Sequence, residues 1–84
     1  MVKISREYIY KEVDRERAYQ DKKWGSLDDV NSVGDFLCYM KRFLDHAMRE
    51  NNPKSPSVAL DDIRKITALG VACMEAHGVC PRLN

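Results

Sequence analysis

Eighty-four residues with a mass of 9.7 kDa leave room for one domain, because a chain this short buries only about 60% of its unfolded surface and cannot support two cores. Hydrophobic residues make up 44% and charged residues 32%, a globular balance that excludes a disordered polyelectrolyte. Fourteen Lys and Arg against thirteen Asp and Glu leave a net charge of +1, so no global field draws the chain onto duplex nucleic acid or an anionic membrane, and an anion site has to be local.

No segment approaches the roughly 20 apolar residues of a membrane span, and residues 1–5 lack the apolar run of a signal peptide. A cytoplasmic location is expected, which for a viral protein means the host cytoplasm. Cys38, Cys73 and Cys80 are odd in number and lack paired CxxC spacing, so reduced thiols are expected rather than a disulfide framework or a zinc finger.

The few Gly and Pro residues divide the chain into three long segments, and the expected fold is all-α: a three-helix protomer that assembles into a homo-oligomer. The first helix is expected over about residues 5–23, with Ser5 as its cap, Glu7 at its positive end and Gly25 beyond its end. On a helical wheel Val2, Val13, Glu16, Gln20 and Trp24 fall within about 60° of Ile9. A carboxylate and an amide therefore share the face that should be buried, and each needs a partner. Arg42 or His46, across the bundle, is the simplest source.

After a polar connection over residues 26–31, containing Asp28 and Asp29, Asn31 or Ser32 can cap a second helix over residues 33–50. Val33, Phe36, Leu37, Met40, Phe43, Leu44, Ala47 and Met48 recur on it at steps of three and four and read as its core stripe. Beside that stripe Asp35, Tyr39, Arg42 and His46 form a second, mostly polar ridge. Ser55 and Pro56 give a cap and a first-turn proline for a third helix over about residues 56–77, stopped by Gly78 and Pro81. Ala59, Ile63, Ile66, Gly70, Met74 and His77 lie on one side of it and Leu60, Thr67 and Val71 on another. One partner helix cannot cover both, so this helix is expected to pack within the protomer and against another subunit.

Phosphate recognition needs cations, and base recognition needs flat side chains. Arg15, Arg17, Lys22, Lys23 and Trp24 gather at the end of the first helix, while Tyr39, Arg42 and His46 line the polar ridge of the second. Arg17, Lys23 and Arg42 are the candidates for phosphate, Trp24 or Tyr39 for stacking, and His46 for a hydrogen bond to the ligand. The competing chemistry is Mg²⁺-dependent cleavage of a phosphoanhydride by Glu12, Glu16, Asp35 and Asp62, since this ion requires several converging oxygen ligands. First-turn interaction with a helix dipole accounts for Asp35 and Asp62 without a metal. A soft-metal set of Cys73, His77 and Cys80 matches no strong spacing pattern, and a small core residue is the simpler reading of Cys73.

The run ERAYQDKKWG over residues 16–25, followed by an Asp-containing loop, resembles small bacteriophage and prophage proteins of the MazG-like type. ALDDIRKI over residues 59–66 and the stretch from Glu75 through Gly78 to Pro81 look like the closing helix of those proteins. The resemblance implies an all-α oligomerising module, and relatives with complete motifs use Mg²⁺ to hydrolyse nucleoside triphosphates to monophosphate and pyrophosphate. Those enzymes carry a Glu-Glu-x-x-Glu motif and a later Glu-x-x-Asp motif. Here Gly34, Asp35, Phe36 and Leu37 are similar to the later motif, but Ser32 stands where its Glu would be, and the first motif is absent.

The leading expectation is therefore a phage-type, oligomeric protein that sequesters a nucleotide or a nucleotide-derived host-defence signal at a subunit interface, a single protomer having too little concave surface to enclose it, without hydrolysing it and without a cofactor. A Mg²⁺-dependent nucleoside triphosphate pyrophosphohydrolase is the first alternative. A helical inhibitor that blocks a host enzyme with its third helix is the second.

Overall fold

The computed structural model describes residues 3–25 and 30–83 and forms three helices, α1 (Arg6–Trp24), α2 (Val33–Glu50) and α3 (Ser57–His77), with no strand among the described residues. Val2, Asp28 and Asp29 lie outside them. Each helix start follows from local chemistry. Ser5 Oγ accepts the amide of Tyr8, which satisfies one of the unpaired donors at the head of α1. Ser32, rather than Asn31, caps α2: its hydroxyl accepts from the Asp35 amide at 3.1 Å while the Asp35 carboxylate accepts from the Ser32 amide at 2.9 Å, a reciprocal capping box.

The third start differs from expectation. Pro56, not Ser55, occupies the cap position, no side chain closes it, and α3 begins at Ser57. Gly25 and Gly78 end α1 and α3 at φ 71° and 94°, values that side-chain-bearing residues rarely adopt. The Gly78 amide closes the last turn of α3 onto the Met74 carbonyl at 2.8 Å.

α3 is the central element. It packs along α2 as a helical hairpin and is crossed by α1, whereas no Cα of α1 comes within 8 Å of one in α2. Phe36, Leu69 and Ala72 form the core, with Met40, Phe43, Cys73 and Ala76 packed around them. Ala68, completely buried, allows α1 to approach α3 closely.

Only part of the α2 stripe is used in this packing. Phe36 and Ala47 are buried, but Val33, Leu37, Leu44 and Met48 stay exposed. A single neighbouring helix covers a narrow arc, and the stripe is wider than that arc. The division drawn on α3 also shifts: Ala59 is buried, while Ile63 and Met74 are exposed with Leu60 and Thr67.

The polar residues on the inner face of α1 find partners on α3 rather than on α2. The Arg64 guanidinium donates to Glu16 at 3.1 Å and also pairs with Asp61. Gln20, completely buried, donates to the Lys65 carbonyl and accepts from Arg17. Arg17 also donates to Glu75 at 2.8 Å and to Asp21 at 3.0 Å. Arg42 and His46 take no part; no Cα of α1 comes within 8 Å of one in α2. The Glu75 hydrogen bond, above all, raises the Arg17 guanidinium above its ordinary value, and Glu16 does the same for Arg64. These buried polar groups are satisfied by one another, which is the condition for placing them inside a helix contact.

Candidate functional site

Because α1 crosses α3 without meeting α2, a cleft of about 660 Å³ opens between its end and the α2–α3 hairpin. That volume is in the range of small-molecule sites. Trp24 closes one side, Tyr39, Arg42, Phe43 and His46 of α2 form another, and Asp62, Lys65 and Leu69 of α3 form the third. Three of the four residues of the expected polar ridge on α2 face this cleft. The fourth, Asp35, is turned back into the capping box.

The cleft is cationic with aromatic walls. Arg42 makes no ion pair and no hydrogen bond through its side chain among the described residues. Lys65 pairs with Asp61 at 2.9 Å and lies 5.5 Å from the centre of the Phe43 ring. Lys23 stands outside the lining but over the Trp24 ring at 5.3 Å and the Tyr19 ring at 5.7 Å, a cation–π arrangement that orients the indole. The Tyr39 hydroxyl is 3.1 Å from the Asn31 side-chain oxygen and donates to it.

His46 and Asp62 form a close polar pair across the cleft, from α2 to α3. His46 Nδ1 lies 2.6 Å from Asp62 Oδ2, and Asp62 is only 2% exposed. An ionised carboxylate only accepts, so Nδ1 carries the proton and Nε2 is the nitrogen left to meet a ligand. The buried carboxylate thus fixes both the ring orientation and the tautomer, as an outer-shell group does for a working imidazole.

Of the six residues expected to bind a ligand, the structure brings Trp24, Tyr39, Arg42 and His46 to one cavity and sets Lys23 behind the indole. Arg17 is not there. It is 6% exposed and its guanidinium is engaged by Glu75, Asp21 and Gln20, because its position on α1 faces α3 and not the cleft.

The four alternative catalytic carboxylates are each held separately. Glu12 pairs with Arg15 at 3.0 Å, Glu16 with Arg64, Asp35 with the α2 cap and Asp62 with His46. Among the described residues no three His, Cys, Asp or Glu side chains stand together in a way that could hold a metal ion, so these residues do not fit a Mg²⁺ cage. The same holds for Cys73, His77 and Cys80: Cys73 packs on the core, and His77 Nε2 lies 2.8 Å from the Asn31 carbonyl with its ring edge-on to Phe36.

Sequence reasoning missed Lys65, Phe43 and Leu69 as lining residues and Asp62 as the partner of His46. A signal was available, since Asp62, Lys65 and Leu69 recur at three and four residues, the same spacing as Tyr39, Arg42 and His46 opposite. Compared with models of known families, with curated proteins and with solved structures, the chain matches none of them.

Proposed function

We propose that this chain is a phage-type nucleotide-binding protein. It takes a nucleotide or nucleotide-derived signal into the cleft between α1 and the α2–α3 hairpin and holds it without hydrolysis, as sequestration of a host-defence signal requires. The observation that carries this reading is Arg42, a guanidinium without a carboxylate partner among the described residues, facing the same 660 Å³ cleft as Trp24, Tyr39 and the oriented His46. Arg42 and Lys65 bind phosphate oxygens, His46 Nε2 supplies a further polar contact, and Trp24 or Tyr39 stacks on the base. Lys23 supports the indole, and Arg17 holds α1 onto α3.

Retention without turnover is supported by the four alternative catalytic carboxylates, each of which is held by a partner in its own chain. The MazG-like resemblance of residues 16–25 and 59–66 agrees with a nucleotide scaffold whose catalytic motifs are incomplete. A ligand of roughly 40 heavy atoms at about 0.3 kcal/mol per atom gains about 12 kcal/mol, enough for nanomolar retention. The chain works as a homo-oligomer assembled through α3 and needs no membrane; no described helix is long and apolar enough to cross one.

The test is incubation of the pure protein with a panel of linear and cyclic nucleotides, with and without Mg²⁺, followed by chromatography of the bound and free fractions. Intact nucleotide released on denaturation is the expected result. New products in the Mg²⁺ arm identify a pyrophosphohydrolase instead, and an unbound panel removes the nucleotide reading altogether.

A further inference from the structure

The α2–α3 hairpin has a second side, and it is apolar. On α2, Val33, Leu37, Leu44 and Met48 stand about half a turn around the helix from Tyr39, Arg42 and His46, and they are 47–72% exposed. On α3, Leu60, Ile63, Thr67, Gly70 and Met74 recur at steps of three, four, three and four, the spacing of a helix–helix seam, and Leu60, Ile63 and Met74 stay 45–57% exposed. The Met40 methyl lies 3.8 Å from the position a Cβ on Gly70 would take, so the two stripes join into one face. Ile4, just ahead of α1, and Tyr8 and Ile9 of α1 extend it across a shallow groove of about 440 Å³ shared with Leu60 and Ile63.

The exposed area of the chain as a whole argues for a second copy as the occupant. A compact monomer of 9.7 kDa is expected to expose about 5,100 Å², whereas this chain exposes 6891 Å². Its radius of gyration is 13.9 Å, against about 12 Å for a compact domain of this length. The excess over the whole chain, about 1,800 Å², is large enough to hold the area that one partner of an obligate homodimer surrenders at its interface. Among the described residues the buried hydrophobics are Val13, Phe36, Leu69 and four alanines, a thin core for a chain that must stand alone.

We propose that this face seats a second copy of the chain, pairing two α2–α3 hairpins across a two-fold axis into a four-helix bundle. The inference rests on the oligomeric reading above and adds α2 as an equal contributor to the seam; it takes nothing from the ligand reading. The surface is self-complementary in the way a two-fold contact requires, since each chain offers the same pair of stripes. The clefts then open on the outer sides of the dimer, so each protomer has its own complete ligand site.

The experiment is sedimentation equilibrium of the full chain over a range of concentrations, alongside thermal unfolding by circular dichroism. Wild type is expected at twice 9.7 kDa, with a Tm that climbs as protein concentration rises. The double variant Leu44→Glu and Ile63→Glu places its charges where the lone protomer is half-exposed and is expected to sediment as a monomer. Because that variant can also lose its fold, Leu44→Ala with Ile63→Ala is the second arm. It should keep its helical signal while the dimer dissociation constant rises at least about a hundredfold, since four side chains are truncated across the axis. A monomeric wild type overturns the proposal. A dimer that neither double variant weakens overturns it as well, and leaves homo-oligomerisation standing on a different face.

Discussion

Arg17 and Arg42 are both cations with a claim on phosphate, and the structure gives them opposite consequences when truncated. In Arg17→Ala the hydrogen bonds to Glu75, Asp21 and Gln20 disappear together. The Glu75 and Asp21 side chains are 48% and 52% exposed, so water replaces much of what they lose and those pairs count for little. Gln20 is different. It is completely buried, and its amide oxygen is left without a donor, at about 1–3 kcal/mol. Loss of the buried methylene stem adds to this, for a total of about 2–3 kcal/mol, or a fall in Tm of about 10–20 °C in a domain of this size. Arg42→Ala removes an exposed side chain with no ion pair among the described residues, so stability should stay within about 0.5 kcal/mol. Affinity for a nucleoside triphosphate should drop about 10- to 150-fold, the effect of one charge-assisted contact to phosphate. Differential scanning calorimetry and isothermal titration calorimetry on both variants read the two effects. An Arg17→Ala protein with wild-type Tm and impaired binding, or an Arg42→Ala protein with lowered Tm and intact binding, refutes the assignment.

Three further outcomes follow from the same geometry. Trp24→Ala should weaken nucleotide binding by about 1–3 kcal/mol through loss of stacking while leaving helix content unchanged, as measured by equilibrium dialysis and circular dichroism. Phe36→Ala empties the largest fully buried position and should cost about 3–5 kcal/mol, most of the stability of so small a core, so that urea unfolding shifts to a much lower midpoint. Lys65 above all holds the Asp61 carboxylate below its ordinary range, against an opposing effect of burial and with Arg64 adding to the lowering. Its contribution is therefore complete above the unfolded carboxylate value and is lost as pH falls through the folded one. Asp61→Asn should flatten the acid limb of a stability-versus-pH curve below the usual carboxylate range and leave its neutral region nearly parallel to wild type.

The fold was largely legible because local signals agree. Ser5, Ser32, Gly25 and Gly78 mark helix ends by backbone chemistry that depends on neighbours only a few residues away. The ridge of Tyr39, Arg42 and His46 was legible for the same reason, since helical periodicity alone puts those residues on one face. What was not legible depends on which helices touch. The inner face of α1 announced buried Glu16 and Gln20, but only the separation of α1 from α2 decides that Arg64, Arg17 and the Lys65 carbonyl satisfy them. Arg17 and Arg42 look alike in sequence and differ only in whether α3 or the cleft lies opposite. The α2 stripe was read as one core surface because periodicity shows that a face is apolar, not what covers it.

The most direct measurement titrates isotopically labelled protein with a nucleotide that the panel shows to bind, following the Trp24 indole signal together with the phosphorus spectrum of the ligand in the presence of Mg²⁺. The proposed function predicts that the indole resonance shifts to saturation at one ligand per chain while the phosphorus signals of the bound nucleotide stay intact. An indole that does not move, or the appearance of pyrophosphate, contradicts it.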